Sequence, residues 1–316
     1  MIWILAILIL ATTAQADVTR KHRVTSQFMG ANESTTADYY AGDRSADEST
    51  VRWTRGFMKT MSGGKPSESG TIVRLDKEVV WSLNPKEKTY TEMTFAEYRE
   101  MIRKASEEMQ QAEGEEEVAD TTAEDMYEWT VEDKSETEPK TINGWMCRNA
   151  HVEATGVNKQ NPEDKVIITV NMWNSPEVPG AEEITAFTQR YMKALGMDEM
   201  ALTPGLIQAA LLYQNRFDEV MQAAKKAPGE PVQSLIEIKR NQPKGKKVGE
   251  AIKEGAASEA MSKLPFGKKK APPKEEPVQY ELKVKFSVQS ELTEASVAAV
   301  DAGKFEVPAG YKLKKK

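Results

Sequence analysis

From Val278 to Gln289 apolar and polar residues alternate without a break: Val278, Tyr280, Leu282, Val284, Phe286 and Val288 against Gln279, Glu281, Lys283, Lys285, Ser287 and Gln289. Successive side chains of a strand point to opposite faces, so this period of two specifies a strand with one dry and one wet face. Parallel strands are buried on both faces and read as continuous apolar runs, so strict alternation argues for an antiparallel sheet. Val166, Ile168, Val170 and Met172 repeat the pattern, and Val51, Trp53 and Phe57 mark a weaker strand. Between Thr71 and Met93 the chain reads as a meander. Ile72 to Leu75 turns at Asp76-Lys77 into Val79 to Leu83, which turns at Asn84-Pro85-Lys86-Glu87 into Thr89 to Met93.

Helical spacing interrupts these strands. Thr94 with Glu97 forms a capping box ahead of Phe95, Tyr98, Ile102, Ala105 and Met109. A second helix is expected from about Ala181 to Leu195, with Ile184, Phe187, Tyr191 and Leu195 on one stripe and Gly196 placed to end it. A third opens at Thr203-Pro204 and aligns Leu206, Ala210, Tyr213, Phe217, Val220 and Ala224. Each has one apolar side, which must lie against the sheet or another helix. The expected fold class is α+β.

The N-terminus bears on compartment. Ile2 to Ala11 is apolar but too short to span a bilayer as a helix, and Ala14-Gln15-Ala16 precedes the polar Asp17. This predicts a signal peptide over residues 1–16 and a periplasmic or secreted mature chain from Asp17, although no Lys or Arg precedes the apolar run. No later stretch is apolar enough to cross a membrane, so a membrane-spanning protein is not expected. Residues 17–316 are read as a single domain. An acidic insertion is expected near 107–138, and a Lys/Pro/Gly-rich one, expected to stay disordered, near 245–277.

Charge excludes one class of partner. Lys and Arg number 43 against 49 Asp and Glu, a net charge of −6, and the basic residues of 244–274 sit among Gly, Pro and Ala. Nucleic-acid binding needs cations held on a folded face, so no nucleic-acid partner is expected. Catalytic groups are sparse as well. The only histidines, His22 and His151, belong to no HExxH or HxH arrangement, so no metal is expected. Ser62-Gly63-Gly64-Lys65-Pro66-Ser67 lacks the full phosphate-loop spacing and joins strand to strand, so it is a hairpin loop. Cys147, the only cysteine, reads as a small buried residue, and in an extended chain His151 lies too far along for a direct hydrogen bond to it. No enzyme and no cofactor are expected.

What remains is apolar surface. Trp53, Phe57, Trp81, Tyr90, Trp145 and Trp173 fall on strands, and helices add Phe187, Leu206, Leu211 and Phe217. Most should build the core. A curved sheet with helices on its concave side nevertheless encloses a space suited to acyl chains.

The meander Gly70-Thr-Ile-Val-Arg-Leu-Asp76 and Val80-Trp-Ser-Leu-Asn-Pro-Lys-Glu-Lys-Thr-Tyr90 resembles the strand pairs of a poorly characterised family of exported bacterial proteins. That family is similar in fold to periplasmic lipoprotein carriers and outer-membrane lipoprotein receptors. Met172-Trp-Asn-Ser-Pro-Glu-Val-Pro-Gly180 and Phe305-Glu-Val-Pro-Ala-Gly-Tyr311 fit the same pattern, the second being the most specific. The resemblance implies a strongly curved antiparallel sheet, an incomplete barrel, with helices packed on its concave side and lipid tails held between the two. The charged insertions have no counterpart in it, and no family binding residue is matched, so the lipid-handling expectation rests on fold analogy. The expected function is binding of an apolar ligand, a lipid or a lipoprotein acyl chain, at Trp53, Phe57, Trp81, Leu206, Leu211 and Phe217. The alternative is a fully packed structural or interaction module with an envelope protein as partner.

Overall fold

In the computed structural model, residues 16–27, 30–101, 103–104, 126–196, 220, 222, 227–243 and 280–314 are described. They form one large sheet that does not close. Its spatial order is β13-β6-β5-β4-β3-β2-β1-β12-β11-β10-β9-β7, with β8 paired to β9. The strands are β1 (Val18–Gln27), β2 (Ala31–Ala41), β3 (Arg44–Arg55), β4 (Ser67–Arg74), β5 (Val79–Asn84), β6 (Thr89–Thr94) and β7 (Tyr127–Asp133), followed by β8 (Lys140–Ile142), β9 (Trp145–Asn158), β10 (Lys165–Ser175), β11 (Glu230–Pro243), β12 (Tyr280–Val297) and β13 (Lys312–Leu313). Every pairing is antiparallel except β13 on β6.

The local signals explain the elements they predict. The alternating segment becomes β12 and extends to Val297, while the meander becomes β4, β5 and β6 with a 3-10 turn over Leu75–Lys77. Residues 95–101 begin a helix, α2. Its capping box is formed as expected: Thr94 N–H donates to Glu97 Oε2 at 2.8 Å, and Glu97 N–H donates to Thr94 Oγ1 at 3.2 Å. The next helix, α3 (Ala181–Leu195), ends at Gly196 in the left-handed region, φ 67°, which a residue lacking Cβ adopts without cost. Two expectations change. Phe57 does not continue a strand, because Gly56 at φ 85° turns the chain out of β3 into the short helix α1 (Phe57–Ser62). β7 falls inside the acidic stretch near 107–138. The third expected helix lies outside the described residues except at 220 and 222, both helical, with Val220 fully buried. Residues 1–15 and all of 245–277 also lie outside them.

The core is layered on both sides of the sheet. On one face, Val73 and Val80 pack with Phe95, Phe187 and Leu195, joined by Tyr40, Tyr98 and Tyr191, which seats α2 and α3. We term this the helix face. Burying a Phe or Leu side chain contributes about 1.5–3 kcal/mol, so this seam holds the helices with few residues. On the opposite face Ala41, Ala46, Ile72, Val79 and Trp81 pack around Phe305. Phe305 belongs to a strap that leaves β12, is tied to Asp17, just before β1, where Val300 N–H donates to Asp17 Oδ2 at 2.9 Å, crosses the sheet, and joins the β6 edge as β13.

Candidate functional site

Residues directly opposite one another on paired strands share a face, so the register identifies what each face carries. On the helix face the row holding α3 runs Val18, Tyr40, Ser45, Val73, Val80, Met93. α3 starts against it: a Cβ on Gly180 would lie 2.5 Å from Val18. The next row is polar throughout, Arg20 opposite Asp38, then Asp47, Thr71 and Ser82. The row beyond is His22, Thr36, Ser49, Ser69. Farther along, a row runs from Val152 through Val170, Ile236 and Val288 to Ser26, Asn32 and Trp53. The face is therefore amphipathic: a polar floor on β1–β5 adjoins an apolar field on β9–β12, where Val152, Ile168, Val170, Ile236, Ile238 and Phe286 cluster with Val220.

The polar floor is electrostatically costly. Asp38 and Asp47 face each other across β2 and β3, and like charges directly opposite destabilise a sheet. Burial, and then the charge of Asp47, push Asp38 up to about 6, while burial also raises Asp47. His22 Nε2 lies 3.4 Å from Asp38 Oδ2, but burial and the neighbouring Arg20 charge push the imidazole down to about 4. At neutral pH the pair is a neutral imidazole beside a carboxylate, not an ion pair. Arg20 is buried and its Nη1 donates to Glu230 Oε2 at 3.0 Å, whereas its Nε and Nη2 find no partner among the described residues. Partly desolvated acid, base and guanidinium in one patch make this floor the candidate polar site of the helix face.

The other face is sealed where the strap crosses. Arg44 stacks over the Phe305 ring at 4.9 Å, and Arg74 donates to Phe305 O at 3.3 Å and to Asp76 and Glu306. Phe305-Glu-Val-Pro-Ala-Gly-Tyr311 is thus an anchor: Phe305 fills the core, Glu306 accepts from Arg74 and Lys77, and Gly310 turns at φ 85°. Beside the strap, a groove of about 550 Å³ lies over Ala37, Gly70 and Leu83, rimmed by Lys21 and Arg23 on one side and Glu48 and Glu68 on the other.

The predicted ligand residues separate. Trp53 is half-buried and lies on the helix face at the end of the row, separated from its apolar part by Ser26 and Asn32. Phe57 is 71% exposed on α1. Trp81 faces the strap, buried, with its indole N–H donating to Glu92 Oε2 at 2.7 Å, so it does not face α2 and α3. Leu206, Leu211 and Phe217 lie outside the described residues. Arg20, His22, Asp38 and Asp47 were not singled out from the sequence as a group, and no spacing marks them, because they meet only through strand register. Cys147 is a buried free thiol whose ionisation burial opposes. Among the described residues no group of His, Cys, Asp and Glu is arranged to hold a metal, and no helix is long and apolar enough to cross a membrane. The sequence matches no protein-family model and no curated protein.

Proposed function

We propose that this chain is an exported, non-enzymatic binding protein that takes an amphiphile, a lipid or the acylated end of a lipoprotein, between its sheet and the helices on the concave side. The observation that carries this reading is the amphipathic helix face. The apolar part of the row, from Val152 through Val170 and Ile236 to Val288, offers a bed for an acyl chain, and Arg20, His22, Asp38 and Asp47 on the same face offer hydrogen-bonding groups to its polar end. α2 and α3 rest on this face through a thin aromatic layer, in which Tyr40 meets Phe187 edge-on at 5.5 Å and Phe95 meets Tyr191 at 5.6 Å. Movement of helices across that layer admits the ligand, and binding shifts the population toward the opened state. An apolar fluorescent probe tests it. Val24 and Val51 are half-buried in an adjoining row of the helix face, so Val24→Glu with Val51→Glu should abolish saturable probe binding while far-UV circular dichroism stays native. Absence of saturable binding to the native protein contradicts the reading.

A second reading, a packed interaction module, is favoured by Trp81, an expected cavity residue that is instead locked in the strap-side core. It requires that the native protein bind no probe and co-purify with a protein partner.

A further inference from the structure

We propose that the tip of the β3–β4 connection, helix α1, docks the protein on the surface of an anionic lipid bilayer. The proposal stands independently of the ligand reading. Helix α1 turns the usual arrangement of an amphipathic helix outward. Phe57 and Met61, four residues apart and hence on one face, are 71% and 68% exposed, Met58 beside them is 36% exposed, and α1 buries no residue at all. Single exposed apolar side chains are ordinary, but adjacent large ones on one ordered helix face form a patch that water disfavours.

The helix is held in this pose. Gly63 at φ 61° donates its N–H to Thr60 O, and Gly64 N–H donates to Lys59 O at 3.0 Å, the paired bonds that close a helix end. Charge identifies the partner. No Asp or Glu occurs between Glu48 and Glu68, while Arg52, Arg55, Lys59 and Lys65 all do, in a chain of net charge −6. Arg52 faces Glu33 across β2 and β3, but among the described residues Arg55, Lys59 and Lys65 are in no ion pair. An apolar helix face fringed by cations is the chemistry of a segment lying in the interface of a membrane with negative headgroups. Each cation near such a surface is worth roughly fivefold in partition. Trp53, half-buried on the helix face, is the β3 residue of the Val152 row nearest this tip.

Flotation with vesicles of phosphatidylcholine alone, or of phosphatidylcholine with phosphatidylglycerol, tests the proposal on the full chain. All variants share one N-terminus, so differences read the tip. The wild type should partition at least tenfold more onto the phosphatidylglycerol vesicles at physiological ionic strength. Phe57→Asp with Met61→Asp should lower that partition at least tenfold, and Lys59→Glu with Lys65→Glu should do the same. Phe57, Lys59, Met61 and Lys65 are all exposed, so thermal unfolding should stay as in the wild type, and Phe57→Ser with Met61→Ser serves if the first pair unfolds. The proposal is overturned if the wild type shows no preference for anionic vesicles, or if the apolar or charge variants float as the wild type does. It also falls if the apolar variants abolish self-association of a wild type that ignores vesicles, since the tip would then be a contact between copies.

Discussion

Strands β2 to β5 present two faces that solve opposite problems. On the strap side, Tyr39, Ala46, Ile72 and Trp81 form a row that is closed by Phe305 and stitched by Arg74. On the helix side the same strands place Asp38, Asp47, Thr71 and Ser82 in one row, where burial raises Asp38 and Asp47 even though Thr71 N–H donates to Asp47 Oδ2 at 2.8 Å and the Arg20 charge favours the Asp38 carboxylate. One face is arranged for stability. The other holds charged groups at an energetic cost that burial imposes, the arrangement on which the proposed binding role rests.

Breaking the strap face should have the largest effect. Phe305→Ala empties a fully buried position and should lower stability by about 3–5 kcal/mol, read as a lower urea midpoint. An unchanged midpoint would show that the strap is not part of the core.

The helix face should respond in the reverse direction. Asp38 is raised from 3.8 to about 6, so the folded chain holds a proton there that the unfolded chain has lost, and wild-type stability falls as pH rises through that window. Asp38→Asn removes the penalty. It should stabilise the protein by about 1–3 kcal/mol at pH 7, with the gain gone at pH 3.8 and below. His22 is lowered from 6.5 to about 4, so here the unfolded chain binds the extra proton and stability is lost as pH falls from 6.5 to 4. The two slopes oppose each other between about 4 and 6 in the wild type. Thermal melts of His22→Gln should therefore show stability rising on acidification through that interval, and those of Asp38→Asn should show it falling. Parallel pH profiles for the two variants would remove the electrostatic contrast between the faces.

The smallest effect sharpens the comparison. Lys304 meets Glu48 at 2.5 Å on the strap side, but both are partly exposed, so Lys304→Ala should cost no more than about 1 kcal/mol in chemical denaturation. A larger loss would mean that surface charge, and not Phe305, fixes the strap.

Much of the scaffold was legible because its signals are local. β12 declares itself by alternation, α3 by its stripe and Gly196, α2 by Thr94 and Glu97. The stretch around His22 reads as strand-like without bounds, and β2 gives no signal, because VTRKHRVTSQ and ANESTTADYYA carry polar residues toward both faces and leave no period to read. They are strands because their neighbours supply hydrogen bonds, and β1 pairs with β12, far away in sequence. The hairpin of β8 and β9 was missed although Asn143-Gly144, both at positive φ, is a strong turn signal. The polar floor is built largely on β1 and β2, so it inherits their silence: Arg20, His22, Asp38 and Asp47 become neighbours through register alone. Trp81 misled for the complementary reason, since an aromatic on a strand reads the same whichever face it takes.

Native mass spectrometry of the gently purified protein tests the central claim most directly. A reproducible mass excess of lipid size, lost in the Val24→Glu, Val51→Glu variant, is the predicted result. A bare chain, identical in mass to the variant apart from the substitutions, would contradict it.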